Sequence, residues 1–183
     1  MQALKKYIAL LRGINVSGHH VIKMEALRPA LVELGLSNVS TYIQSGNILF
    51  ESDDSPAKLE MIIKNKIFQK FGFDVATFVL TPDELKTALA DNPFAAKTPE
   101  DSVQPYVGFM SAIPDVTNVA VMKSQDFRGD EFHVIDKRIY LWYADSAGNT
   151  KLSNAVFEKK LNIKATSRNW KTIKKLIELS SEY

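Results

Sequence analysis

The first 80 residues switch repeatedly between the spacing of buried strands and that of amphipathic helices. Tyr7–Leu11 is an unbroken apolar run, which predicts a central strand with a neighbour on each side. From Met24 to Leu34 the apolar residues recur at helical spacing, and Gly35 then provides a C-terminal stop. Pro29 lies inside this helix and is expected to kink it or delay its regular part, because proline removes one backbone hydrogen bond.

Two more strands, a second helix and a further strand follow. Val39–Ile43 and Ile48–Glu51 predict a hairpin, and its turn at Gln44–Asn47 carries a glycine where a positive φ is expected. Asp53–Pro56 marks a helix start with acidic, hydroxyl and proline residues, and Asp74–Leu80 is the further strand. The order strand, helix, strand, strand, helix, strand is that of a split βαβ, ferredoxin-like unit.

The rest of the chain repeats this order after a linker. Thr81–Glu84 is a capping box that begins a short helix, and the polar segment Ala95–Gln104 is the best candidate for a connection. The second half starts with Tyr106–Met110, whose pattern of side-chain sizes matches Tyr7–Leu11. Its other predicted elements are a helix within Pro114–Lys123, a hairpin of Glu131–Ile135 and Arg138–Tyr143, a helix at Ser153–Leu161, a strand at Ile163–Thr166 and a terminal helix from Trp170.

These elements predict an α+β protein of two ferredoxin-like halves, with an extra linker helix and a C-terminal helix. A chain of 183 residues has room for two small domains of this kind. The predicted domains are residues 1–80, the N-terminal ferredoxin-like half; 81–104, a helical linker; and 105–183, the C-terminal ferredoxin-like half with the terminal helix.

Composition narrows the class of protein without naming a function. Hydrophobic residues at 45% and charged residues at 24% are typical of soluble globular proteins, and the absence of cysteine excludes disulfides, thiolate metal sites and cysteine nucleophiles. No apolar run approaches the roughly 18 residues of a membrane helix and no secretory signal is recognised, so we expect no membrane partner and a cytoplasmic location. The net charge of +2 does not by itself indicate a nucleic-acid binder.

The predicted topology brings two polar, glycine-containing loops together. In a ferredoxin-like unit the third strand lies between the first two, at a spacing of about 4.8 Å, so Arg12–Asn15 and Gln44–Asn47 are expected to be neighbours at one sheet edge. Their arginine, asparagine, glutamine and serine side chains suit an anion or a polar planar ligand. The alternative is that Asn15 and Gln44 only brace the two loops while Arg12 caps carbonyl groups.

The loop between Arg12 and Lys23 resembles a phosphate loop and a histidine metal site, but it lacks residues that each of these requires. Gly13 and Gly18 have the spacing of a phosphate loop, yet His19 and His20 stand where lysine and a hydroxyl residue are needed, so a nucleoside triphosphatase is not expected. Lys23, with the amides at the start of the first helix, is a candidate to hold a single phosphate. We interpret the adjacent histidines as exposed loop residues, and expect no metal or cofactor.

A second candidate motif is Ser167–Trp170. Either its serine or asparagine caps the last helix and Trp170 enters the core, or Arg168 and Trp170 offer a charge and a stacking face to a planar ligand. The C-terminal quarter is also basic, which permits a contact with a phosphate backbone, although a solvated helix face is the usual explanation. Its basic residues are Lys159, Lys160, Lys164, Arg168, Lys171, Lys174 and Lys175.

Several stretches resemble a known bacterial family. They are Y-I-A-L-L-R-G-I-N-V-S-G from Tyr7, K-M-E-A-L-R from Lys23, T-Y-I-Q-S-G-N-I-L-F from Thr41, S-N-A-V-F-E-K-K-L from Ser153 and A-T-S-R-N-W from Ala165. Together they resemble the family known as domain of unknown function 1697, with its R-G-I-N, Q-S-G-N and R-N-W motifs. The resemblance implies paired ferredoxin-like halves but no established activity or cofactor. Pro29 departs from the helix-forming residue that the family usually has there.

Three hypotheses of function follow. The leading one is a binding module for a phosphorylated small molecule, a nucleotide or a nucleic acid, although the aliphatic run Tyr7–Leu11 lacks the rings of an RNA-recognition sheet. The second is a small cofactor-independent enzyme acting at the same loops, for which no general base is recognisable. The third is a regulatory or dimerising module that uses an exposed sheet edge. The candidate ligand-binding residues are Arg12, Asn15, Lys23, Gln44 and Asn47, with Arg168 and Trp170 from the second half.

Overall fold

The computed structural model describes residues 4–182, and these form two four-stranded sheets and six α-helices. The first half contains β1 (Lys5–Leu11), α1 (Met24–Val32), β2 (Ser37–Tyr42), β3 (Asn47–Ser52), α2 (Pro56–Phe71) and β4 (Thr77–Leu80). The remaining elements are α3 (Pro82–Ala90), a short 3-10 helix (Ala95–Lys97), β5 (Tyr106–Met110), α4 (Val116–Lys123), β6 (Glu131–Ile135), β7 (Arg138–Trp142), α5 (Asn154–Leu161), β8 (Ala165–Asn169) and α6 (Trp170–Ser181).

Both sheets have the same strand order. The first is ordered β2-β3-β1-β4 and the second β6-β7-β5-β8, and every pair of neighbouring strands is antiparallel. In each sheet the strand that follows the first helix lies at an edge, and the next strand of the hairpin is inserted beside the first strand. This arrangement confirms the predicted α+β class, and it is consistent with two ferredoxin-like halves.

The chain divides into two compact units, residues 1–86 with 175–183, and residues 87–174. The end of α6 therefore packs with the first unit, where the Lys6 ammonium donates to the Ser180 carbonyl at 3.2 Å. The ranges expected from the sequence assign this helix entirely to the second half. Within residues 4–182, no helix has both the length and the hydrophobicity required to cross a membrane.

Several element boundaries differ from those expected. Strand β4 is shorter than the predicted Asp74–Leu80, whereas β8 extends past the predicted Thr166 and runs directly into α6. The polar Ser167 and Arg168 give no strand signal of their own, but they pair with β5 in register. Pro29 lies within α1, which is regular from Met24 onward rather than delayed.

The central strand β1 is buried on both faces. Every residue from Tyr7 to Leu11 is at most 3% exposed, including side chains on opposite sides of the sheet. One side packs on α1 and α2 through Leu27, Leu31 and Ile63. Along β1, the sheet surface that many nucleic-acid-binding folds use is therefore not open to solvent.

Candidate functional site

Main-chain hydrogen bonds hold the end of β1 from both sides. The Leu11 amide donates to the Gly46 carbonyl in the β2–β3 turn at 2.8 Å, and the Arg12 amide donates to the Ala76 carbonyl before β4 at 2.9 Å. Arg12 therefore leaves the sheet at a fixed point between two neighbouring strands. The expectation that the loop after β1 and the β2–β3 turn are neighbours is confirmed.

Asn15 connects three segments through a single side-chain amide. Its Oδ1 accepts a hydrogen bond from the Ile22 amide at 2.9 Å, and its Nδ2 donates to the carbonyls of Ile22 at 2.9 Å and Gln44 at 2.7 Å. The φ of Asn15 is 53°, in the left-handed region that asparagine tolerates better than most residues. The bonds to Ile22 close the loop on itself, and the bond to Gln44 fastens it to the turn. Asn15 thus braces the two loops against each other, as the alternative interpretation of the sequence expects.

Gly46 allows the turn to approach the end of β1. Its φ is 77°, and a Cβ placed on it would lie 2.7 Å from the Leu11 Cβ and 2.9 Å from the Ile14 Cδ1. Both neighbouring side chains are buried, so neither is able to move aside cheaply. This position therefore requires glycine for two independent reasons, the backbone angle and the contact.

Asn47 is fully buried, at 0% exposure. Its Nδ2 donates to the Tyr42 carbonyl at the end of β2 at 3.1 Å and to the Ser45 hydroxyl in the turn at 2.9 Å. In this structure Asn47 therefore shapes the turn and is not accessible to a ligand.

Besides the partly exposed Asn15, three of the residues predicted to bind a ligand remain accessible. Lys23 and Gln44 are exposed and Arg12 is partly exposed. Lys23 is the N-cap residue of α1 and makes no side-chain capping bond, whereas Ser55 and Asp115 cap α2 and α4 in the usual way. Arg12 and Lys23 stand at the two ends of the loop that Asn15 closes.

An apolar rim accompanies these polar groups and was not anticipated from the sequence. Val16, Val21 and Ile43 are each at least half exposed on the loop and on the turn. Ile43 also has a φ of 50°, an unfavourable conformation for a β-branched residue. No sequence signal indicates this, because isoleucine by itself predicts a strand rather than a left-handed turn.

The two adjacent histidines lie on the outer part of the loop. Both are exposed, and the His20 ring lies 4.9 Å from the Phe73 ring, centroid to centroid. A small bridge between Val16 and His19 folds the loop into a tight turn rather than an open cradle. In the described part of the chain, no three histidine, aspartate or glutamate side chains are grouped in a way that would hold a metal ion.

Arg168 and Trp170 belong to the second unit and are both 7% exposed. The Arg168 guanidinium donates to the Thr166 hydroxyl and to the Ser167 carbonyl, each at 2.8 Å, and burial lowers the pKa of Arg168 to about 10. Trp170 begins α6, and its amide donates to the Val103 carbonyl at 2.9 Å. The core-packing interpretation therefore describes Trp170 in this structure, since little of its ring is accessible for stacking.

The strand order and the braced loops define a protein built from paired four-stranded α+β halves, with a polar loop pair at one edge of the first sheet. The chain belongs to the family described as protein of unknown function (DUF1697), whose model matches residues 4–140. This confirms the family resemblance. The matched range ends before Ser153–Leu161 and Ala165–Trp170, which also resemble segments of the family.

A solved structure supports the same fold over nearly the whole chain. It is described as the structure of conserved bacterial protein SP0830 from Streptococcus pneumoniae, and it is 27% identical to this chain with a TM-score of 0.73. The similarity covers 97% of this chain and 99% of that one. No curated protein matches the chain.

Proposed function

We propose that the protein is a binding module for a phosphorylated ligand, either a small molecule such as a nucleotide or the phosphate backbone of a nucleic acid. The ligand site consists of Arg12, Lys23 and Gln44, and Asn15 holds it together. The observation that supports this proposal best is the 2.7 Å hydrogen bond from the Asn15 amide to the Gln44 carbonyl, because it joins the two loops that carry the accessible polar groups.

The charge of these two loops favours an anion. From Arg12 to Lys23 there is no acidic residue, and the segment from Ser40 to Asn47 likewise has none. Both ends of the first loop are cationic, and the first amides of α1 follow directly after Lys23 without a side-chain cap. Arginine, lysine and exposed helix amides are the groups that usually hold a phosphate in proteins.

The geometry also limits how such a ligand would be held. The tight turn at Val16–His19 differs from the open, glycine-rich cradle of a triphosphate loop, so we propose contact with a single phosphate group. A nucleic acid would contact this edge through its backbone, since both faces of β1 are buried. The exposed apolar rim of Val16 and Ile43 offers contact to the sugar or base beside that phosphate.

Thermal-shift measurements with inorganic phosphate, adenosine monophosphate and a mixed-sequence 20-nucleotide DNA test the proposal. We predict that at least one of these probes raises the Tm of the wild-type protein, since a ligand that binds only the folded state stabilises it. Arg12→Ala is expected to keep a Tm within about 2 °C of wild type without ligand and to lose most of the shift with ligand. The matched control is Lys70→Ala, which removes an exposed lysine from the last turn of α2.

Three results would contradict the proposal. One is the absence of any shift, or of salt-sensitive retention of the oligonucleotide, with the wild-type protein. Another is a large loss of stability in unliganded Arg12→Ala, because that result would assign Arg12 to bracing the loops. An equal loss of ligand response in Lys70→Ala would show that binding depends on general charge rather than on this site.

A further inference from the structure

Helix α4 presents an unusual apolar surface to solvent. Met122 is its one fully buried residue among those described, while Val116 is 80% and Val121 55% exposed, and Ile113 just before the helix is 66% exposed. Thr117 and Ala120 are also exposed and lie between these residues at helical spacing. We call this set the α4 face; its residues are Ile113, Val116, Thr117, Ala120 and Val121.

The equivalent helix of the first half shows that the fold does not require this surface. Helix α1 follows β1 as α4 follows β5, and its outer positions include the exposed Glu25 and the partly exposed Arg28. Arg28 also donates to the Thr41 hydroxyl at 2.9 Å, so this charged side chain of α1 bonds to β2 of the same unit. The apolar residues of the α4 face therefore need an explanation other than the stability of the isolated unit.

The two ends of α4 carry opposite charges. Asp115 is the N-cap, and its carboxylate accepts hydrogen bonds from the amides of Thr117 at 2.8 Å and Asn118 at 3.3 Å. These bonds lower the pKa of Asp115, which is therefore ionised at neutral pH. Lys123 lies in the last turn, is exposed, and forms no ion pair with another residue of the described range 4–182.

We propose that the α4 face is a self-association surface, on which the α4 of a second copy of this chain packs antiparallel about a two-fold axis. In that arrangement Asp115 of each copy faces Lys123 of the other, so the two-fold axis produces two identical ion pairs. The apolar residues between them face their own counterparts, and the small side chains of Thr117 and Ala120 permit close approach of the helix axes. A parallel arrangement would place like charges together.

The expected association is weak. An eight-residue helix is about 12 Å long, and the α4 face is smaller than the roughly 800 Å² that each partner contributes to a standard interface. We therefore expect a weak dimer that dissociates on dilution. The α4 face belongs to the second unit and shares no residue with the loops at the end of β1, so the inference does not depend on the proposed ligand site.

Sedimentation equilibrium of the full chain from about 5 to 500 µM measures this association. The wild-type protein is expected to show a monomer–dimer equilibrium, and Val116→Glu to weaken it at least tenfold. The matched control is Val32→Glu, which introduces the same charge at an exposed valine of α1 and is expected to leave the Kd unchanged. Circular dichroism verifies that each variant is folded.

A charge reversal tests the antiparallel register. Lys123→Glu alone is expected to weaken the dimer severalfold, because it places two carboxylates opposite each other. Asp115→Asn keeps a capping side chain but removes the carboxylate charge, so in that background Lys123→Glu is expected to weaken the dimer clearly less than it does in the wild-type chain.

The proposal is overturned if the wild-type protein remains monomeric at 500 µM, or if Val116→Glu dimerises as well as wild type. It is also overturned if α4 binds a different protein while the chain alone stays monomeric. An equal effect of Lys123→Glu in the wild-type and Asp115→Asn backgrounds would contradict the antiparallel pairing.

Discussion

At the residue scale, the loops at the end of β1 depend on a few positions with unusual backbone angles. Asn15 and Gly46 both have positive φ values, and each makes a contact that another residue would not make. Asn15 uses all of its amide groups within the protein, which leaves ligand contact to Arg12, Lys23 and Gln44. Bracing by Asn15 is therefore compatible with a ligand site formed by other residues of the same loops.

Gly46→Ala is predicted to lower the free energy of unfolding by about 2–4 kcal/mol, because the new Cβ meets buried side chains and the positive φ is strained. The control is Gly72→Ala at nearly the same angle, 76° against 77°, where a Cβ has open space. This variant has only the backbone penalty, roughly 1 kcal/mol. Urea unfolding of both variants measures the difference, and equal losses would show that the contact with Leu11 contributes nothing.

At the scale of elements, helix carboxylates cover one outer edge of each sheet. Glu60 of α2 accepts a hydrogen bond from the Val79 amide of β4 at 3.0 Å, and Glu158 of α5 accepts one from the Ala165 amide of β8 at 2.7 Å. Both amides lie on terminal strands, where an unpaired amide is available to other chains. In both halves a helix glutamate therefore accepts a hydrogen bond from an amide of the equivalent edge strand, although the sequence around the two glutamates differs.

Glu60→Ala is predicted to cost about 1–2 kcal/mol of stability, because it leaves the Val79 amide without its acceptor. Glu60→Gln retains an acceptor oxygen at the same place and is expected to lose less than half as much. Hydrogen exchange of the Val79 amide provides the direct measurement, with faster exchange in the alanine variant. Equal exchange rates in all three proteins would mean that the bond does not protect this edge.

At the scale of the whole molecule, the second unit contains buried tyrosines that are expected to make its stability decrease at alkaline pH. Burial is the main cause that raises the pKa of Tyr140 to about 12, and burial also raises the pKa of Tyr143. The Tyr140 hydroxyl donates to the Ala88 carbonyl at 3.0 Å. An unfolded tyrosine ionises near its ordinary value of about 10, so the stabilising protonated form is fully favoured below that pH and is lost as the pH rises toward 12.

Tyr140→Phe tests this contribution. At pH 8 the variant is expected to be about 1 kcal/mol less stable because one hydrogen bond is lost. Between pH 8 and 11.5 the wild-type protein should lose about 2 kcal/mol more than the variant, since only the wild-type residue ionises on unfolding. Both tryptophans, Trp142 and Trp170, lie in the second unit, so their fluorescence reports its unfolding. Parallel pH profiles of the two proteins would contradict the prediction.

The order of strands and helices was predictable because it depends on local spacing. Apolar runs such as Tyr7–Leu11 and helical repeats such as Met24–Leu34 indicate their elements directly, and the known topology of a split βαβ unit then places Arg12 beside the turn at Gln44. The boundaries of β8 were less predictable, because Ser167 and Arg168 become a strand only by pairing with β5.

The sequence by itself determined the fold class and the location of two neighbouring polar loops, since these follow from periodicity and spacing, and its motifs indicated the family by resemblance. Only the tertiary structure decided what each side chain does there. Burial removes Asn47 and most of Trp170 from solvent, Asn15 is committed to the backbone of two loops, and Val116 is left exposed. Exposure and hydrogen-bond partners depend on residues distant in the chain, and the spacing of residues along one sequence does not contain that information.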